Sequence, residues 1–313
     1  MYTPKKVKGD KKMEEQNKRL FYILMFFAMI GWGASWVHAK VLSAYINEYE
    51  LIFLRNFFTI ITMIPVLIFS KKYFHITKKG LLLSFITAIV MIAYLKYYFL
   101  GTKFGTASLG GAFVTTLIPI NTFLMMALFF GKKIQKKDIF ALILGAIGVL
   151  TILNVWTLSF EEIFTQHNVY FLIASILWPI ITIISSKATN TSPLVFSFYM
   201  YIFMTVLVML FFVDVSKLNY QAYDTVFWIN ILSLAVISTT FATSIYFIGI
   251  EKLGANEVSS FIFLVPFSAI TLSIIFLKEE VHFTIFVGTI LTLFAVKVLN
   301  NIKIFKKKNT TKM

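Results

Sequence analysis

Apolar residues along this chain fall in long, almost unbroken runs, each closed by a short group of charged or turn-forming residues. A window of about 19 residues separates ten of them, near 20–45, 49–70, 80–101, 106–130, 138–154, 168–188, 193–213, 224–250, 256–277 and 282–300. Most match the roughly 20 residues a helix needs to cross the hydrocarbon of a bilayer. The pattern predicts an all-α integral membrane protein with ten transmembrane helices. The first run is longer than the apolar core of a signal peptide, about 7 to 15 residues, and no small-residue cleavage motif follows it, so it is expected to stay in the membrane.

Composition agrees: 58% of residues are hydrophobic, 17% aromatic and only 14% charged, far outside the range of soluble globular domains. The net charge of +15 raises the question of nucleic acid, and its distribution answers it. Lysines flank the apolar runs as orientation signals do, and form no basic patch interleaved with stacking aromatics. One set of loops and ends collects Lys5 to Arg19, Lys71, Lys72, Lys78, Lys79, Lys132, Lys133, Lys136, Lys137, Lys187, Lys252 and the tail from Lys303. The opposite loops hold Lys103, Lys217 and Lys278 among Glu48, Glu161, Glu162, Asp214, Asp224, Glu279 and Glu280. The positive-inside bias then predicts cytoplasmic termini and an even number of spans in the plasma membrane. Absence of cysteine removes disulfides, thiol chemistry and Cys-based metal sites together.

The two halves resemble each other. IPINTFLMMALFFGKKIQKKDIFALILGAIGVL, from Ile118, lies without gaps on VPFSAITLSIIFLKEEVHFTIFVGTILTLFAV, from Val265, at an offset of 147 residues. Pro119 falls on Pro266, Gly131-Lys132 on Lys278-Glu279, and Ala141, Gly145 and Gly148 on Gly288, Thr292 and Ala295. YFLGTKFGTAS is similarly matched by YFIGIEKLGANE. A unit of five spans is odd, so the second copy must be inverted. The expected organisation is a basic tail at 1–19, a first unit at 20–154, an external linker at 155–167, a second unit at 168–302 and a basic tail at 303–313. Paired prolines at equivalent positions of spans four and nine, Pro119 and Pro266, are the expected helix breaks.

WGASW followed by Lys40 and then by Arg55 in FLRNFF resembles the opening of an EamA domain of the drug/metabolite transporter superfamily. GTASLGGAFVTTLIP, GANEVSSFIFLVP and the glycine-patterned spans that follow are similar to the same family. As two tandem units, the resemblance implies a ten-helix inverted-repeat carrier that moves small metabolites, commonly amino acids or related compounds and often outward. Two departures stand out: Lys132 occupies a position where the family pattern usually has glutamate, and the second half reads LWPI in place of a Trp-Gly pair.

Charges inside the runs are the sharpest chemical clue, because an ion next to lipid costs several kcal/mol. At about 1.5 Å per residue, Lys40 and His38 lie roughly 11 and 8 Å outward of the centre of span one, and Arg55 and Lys96 about 7 Å outward in spans two and three. In one reading Lys40 and Lys96 snorkel while Arg55 pairs with Glu48 or Glu50. In the other, an excess of cations over acids holds an anionic substrate, with His38 and Lys96 as the first contacts. Asn121, Trp178, Thr243 and Ser260 complete the candidate cavity, although small polar residues and aromatics in such helices often serve packing alone. His38 is also the candidate for proton coupling, being the deep group that titrates near neutrality. No P-loop, His-Glu-x-x-His pair or paired deep acids are present, so an enzyme or ATP-driven pump is not expected, nor any cofactor or metal. The expectation is a secondary transporter working by alternating access, against a lipid-handling or accessory membrane protein as the second reading. The partners expected are the bilayer and a small-molecule substrate, without nucleic acid and with a homodimer left open.

Overall fold

A computed structural model describes residues 8–71, 74–131, 133–154, 157, 161, 164–188, 190–253, 261 and 264–299. Ser260, Glu257 and Ser259 lie outside the described residues. The described chain is helical throughout: α1 (Lys8–Leu42), α2 (Glu48–Phe69), α3 (Lys78–Phe104), α4 (Ala107–Phe130), α5 (Lys136–Ile152), α6 (Gln166–Ser186), α7 (Pro193–Phe211), α8 (Thr225–Ser233), α9 (Ala242–Leu253), α10 (Leu264–Leu272) and α11 (Phe283–Leu299). Two wider π-helical stretches interrupt the second half, Leu234–Phe241 between α8 and α9 and Ser273–Leu277 after α10. Seven helices are long and apolar enough to cross a membrane, and shorter apolar ones run over Leu264–Leu277 and Phe283–Ala295. Run nine is the shorter for a plain reason: its first residues are among those not described.

Side-chain caps explain where the helices begin. Asn47 accepts from the amides of Tyr49 and Glu50 while Glu50 accepts from the amide of Asn47, a capping box at the start of α2. Thr77, Thr106 and Asp224 accept from Gly80, Leu109 and Phe227 at the starts of α3, α4 and α8. α4 ends at Gly131 with φ of 67°, and the π segment after α10 ends at Lys278 with φ of 55°, both left-handed.

The faces of these helices divide as a lipid solvent demands. Phe69, Phe129 and Phe283 are 85%, 75% and 77% exposed, a distribution that water would punish and hydrocarbon does not. Backbone groups are satisfied inside each helix, and interior hydroxyls follow suit. Thr59, Thr87, Thr102 and Thr116 donate to the carbonyls of Arg55, Leu83, Tyr98 and Ala112 in their own helices, which makes them packing residues.

In the bundle, α1 packs on α10 and along the α8–α9 run, and α6 packs on α4 and α3. α2 packs on α7 and on the π segment Leu234–Phe241, α3 also on α7, and α5 on α11. The closest approaches are made over glycine. A side chain at Gly33 would meet Ser268 and the backbone of Ala269, and one at Gly148 would meet the backbone of Gly288 and Thr292 at 2.9 Å. Because backbone cannot swing away, Gly148→Leu is expected to separate α5 from α11 and lower stability by about 1–3 kcal/mol, measured as a drop in thermal midpoint in detergent.

Pro119 lies inside α4 without ending it: the helix runs unbroken from Ala107 to Phe130. The expected break there is corrected to a tolerated proline, since only one backbone bond, to the carbonyl of Thr115, is lost. Pro266 is the third residue of α10, so no break follows it until the π segment at Ser273. Irregular hydrogen bonding is placed instead in the two π segments, which carry no proline.

Candidate functional site

Arg55 sits in the second turn of α2, half-buried in a bundle whose interior is largely apolar or hydroxylated. Its Nε donates to Thr239 Oγ1 at 3.0 Å, and that hydroxyl in turn donates to the carbonyl of Leu234, five residues back in the π segment. Further along α2, Thr62 and Thr240 share a hydrogen bond of 2.6 Å, so two contacts join α2 to the same segment. The π geometry turns Ser238, Thr239 and Thr240 inward together, all at most 4% exposed.

Tyrosines form a partial ring near the guanidinium. Tyr94 and Tyr98 of α3 and Tyr201 of α7 are all close enough to interact with its charge. Tyr94 is tilted against Trp178 of α6 with ring centroids 4.9 Å apart, Tyr98 meets Trp36 edge-on at 4.3 Å, and its hydroxyl donates to Ser35 Oγ. Thr243 lies beside the Tyr201 hydroxyl. Three elements besides α2 thus meet one cation: the π segment, α3 and α7. No carboxylate among the described residues comes within ion-pair distance of it, and of its five N–H donors only Nε–H has a partner there.

This corrects the expected pairing of Arg55 with Glu48 or Glu50. Glu50 is spent on the capping box, and Arg55, five residues on, is turned about 140° around the helix axis from it. Lys96 does not join Arg55 either. It lies between Tyr94 and Tyr98 in sequence and therefore on the opposite face of α3, where its Nζ stands 5.5 Å from the Tyr49 ring and 5.8 Å from that of Tyr97. His38 is bound toward α8: Nδ1 is 2.8 Å from Asn230 Oδ1. Asn230 Nδ2 donates to the carbonyl of Val226, so Oδ1 is the acceptor and His38 Nδ1 carries the hydrogen. Asn121 Nδ2 donates to Ser175 O and Oγ, at 3.1 and 3.0 Å, and serves the α4–α6 contact. Of the residues read from sequence, Arg55, Trp178 and Thr243 are brought together; Tyr94, Tyr98 and Tyr201 of the ring were not read as partners of Arg55. Their signal was the four-residue spacing of Tyr94 and Tyr98 on one face.

Lys40 neither snorkels nor enters the ring. Its Nζ donates to the carbonyls of Lys103 and Gly105, at 2.9 and 2.6 Å, where α3 ends. Across the turn, Glu279 accepts from the amides of Ala107 and Ser108, at 2.8 and 2.9 Å, where α4 begins. A cation therefore meets the carbonyl end of one helix and an anion the amide end of the next. Glu279 also attracts Lys40 directly, and His167, whose ring lies beside Gly105, is the next ionisable group.

Long apolar helices with large aromatics on their outer faces make this a multi-pass integral membrane protein. The comparison with known families is specific: residues 19–154 and 167–301 each match the EamA-like transporter family, and the chain belongs to that family, as two tandem units of the drug/metabolite transporter kind. It is 25% identical over 282 residues to the uncharacterized transporter YetK of Bacillus subtilis (strain 168), a match that spans 85% of this chain and 82% of the relative. A crystal structure described simply as that of a protein superposes with a TM-score of 0.61 over 90% of this chain and 96% of its own, at 14% identity, a likeness of fold alone.

Proposed function

We propose that the protein is a secondary transporter of small organic anions, amino acids among them, acting as an exporter by alternating access in the plasma membrane. Two inverted five-helix units, ten spans in all, rock about the Arg55 ring, with both termini cytoplasmic. The packing supports the two-unit reading. Exchange of the halves maps the α1–α10 contact onto α6–α4, the contact of α1 with the α8–α9 run onto α6–α3, and that of α2 with the same run onto α7–α3, while α2–α7 and α5–α11 map onto themselves. The left-handed caps at Gly131 and Lys278 fall at the same offset of 147 residues as the sequence repeat.

The observation that carries the substrate class is the Arg55 guanidinium, whose terminal N–H groups have no partner among the described residues. A buried cation of this kind is stable only with a compensating charge or strong acceptors, and a planar carboxylate matches its fork. The aromatic ring around it offers apolar cover to the rest of a small solute.

Purified protein in ATP-free liposomes is expected to move a carboxylate-bearing solute from a panel of amino acids and organic acids down its gradient. No flux across the panel, with lipid exchange between leaflets in the same vesicles, would transfer the assignment to a lipid-handling role.

A further inference from the structure

We propose that Lys40 and Glu279 form a latch that holds the bundle closed at the end bearing the α3–α4 turn. This inference rests on the transport reading above, which makes that end the outer one.

The latch spans both halves of the chain. Lys40 comes from α1 and grips the last carbonyls of α3, while Glu279 comes from the link between α10 and α11 and grips the first amides of α4. Parting the two units at the closed end would strip the two charge-assisted hydrogen bonds that Glu279 accepts from α4 and separate its charge from Lys40. Tyr45, which donates to both carboxylate oxygens of Asp224 at 3.0 Å, ties the α1–α2 loop to the start of α8 at the same end.

The sequence repeat gives the other end. The position equivalent to Lys40 at the offset of 147 is Lys187, whose Nζ stands 5.3 Å from the Phe130 ring at the end of α4. The position equivalent to Glu279 is Lys132. In sequence, the basic member of the pair recurs at the offset, while the acidic member is replaced by lysine. The resting protein favours the state shut at the Lys40–Glu279 end.

The chain has no cysteine, so two spin labels can be introduced cleanly on the full protein in nanodiscs. Phe104→Cys on α3 and Phe283→Cys on α11 are exposed positions at the latched end. The unmodified latch is expected to give one short, narrow distance distribution. Glu279→Gln, which leaves one oxygen to accept where two are needed, is expected to lower the ratio of closed to open populations roughly ten- to hundredfold, with a longer distance appearing. Lys40→Arg keeps the donors and should retain the short distance. Identical distributions in the parent and Glu279→Gln proteins would overturn the latch. Shifted distances in a protein that moves no solute would keep the latch and remove the transport reading, so the two failures are separable.

Discussion

Arg55→Met is expected to abolish saturable flux of an anionic solute while leaving the bundle folded. Hydrogen bonds to a charged group contribute about 1.5–3 kcal/mol each, and a carboxylate gripped by the terminal guanidinium nitrogens makes two. Losing both predicts a fall in apparent affinity of at least about a hundredfold. Arg55→Lys keeps the charge but loses the planar fork and the Nε–H bond to Thr239, so an intermediate loss of about tenfold is expected. Initial rates in liposomes against solute concentration make the measurement, with the thermal midpoint of each variant as the folding control. A neutral analogue of the same solute should show little dependence on Arg55. If Arg55→Met transports the anion with unchanged concentration dependence, the cation is a helix brace to Thr239 and the substrate site lies elsewhere.

Trp36→Ala is expected to give the largest loss of stability. The side chain is 3% exposed and fills the space between Tyr98, at 4.3 Å between centroids, and Phe171, at 6.0 Å, against the bare backbone of Gly110 and Gly111. Lipid offers no hydrophobic penalty for leaving a neighbour, so van der Waals packing around the indole is what holds these helices together here. Truncating a buried tryptophan costs about 3–5 kcal/mol, most of it as an unfilled cavity. The thermal midpoint in detergent should drop by far more than for Gly148→Leu. Tyr98 would lose its edge-on neighbour as well, so anion affinity should weaken in the same variant. A midpoint within error of the parent would mean that α4 and α6 can collapse onto α1, against the glycine-lined geometry described above.

Much of this was legible in the chain. The span positions followed from hydropathy because the solvent imposes a length and a polarity on every crossing segment, and the tandem units followed from residues such as Pro119 and Pro266 recurring in order. Arg55 stood out because a cation in an apolar run has no bland surroundings to disappear into. Its partners were hidden for the opposite reason: Tyr94, Tyr98 and Trp178 look like any aromatic in a hydrophobic helix until α3, α6 and α2 are placed side by side. The destination of Lys40 was equally closed to sequence, since it binds backbone carbonyls at Lys103 and Gly105, which carry no side-chain signature. Helix continuity through Pro119 and the π segments elsewhere are a further lesson. Proline marks a position where a hydrogen bond is missing, whereas a π turn shares bonds among ordinary residues and leaves no mark of composition.

Those π turns are a place among the described residues where the halves are geometrically unlike. The positions equivalent to Leu234–Phe241 and Ser273–Leu277 fall within regular α3 and α4. A π turn holds one residue more than the α turn it replaces, so converting one into the other displaces everything beyond it by about 100° around the axis and about 1.5 Å along it. Thr239, which receives the hydrogen bond of Arg55, is on such a turn. A helix of this kind is a screw with one loose thread: a single residue of slippage would carry the hydroxyls of Thr239 and Thr240 off the axis of α2 without breaking the helix or moving its ends far.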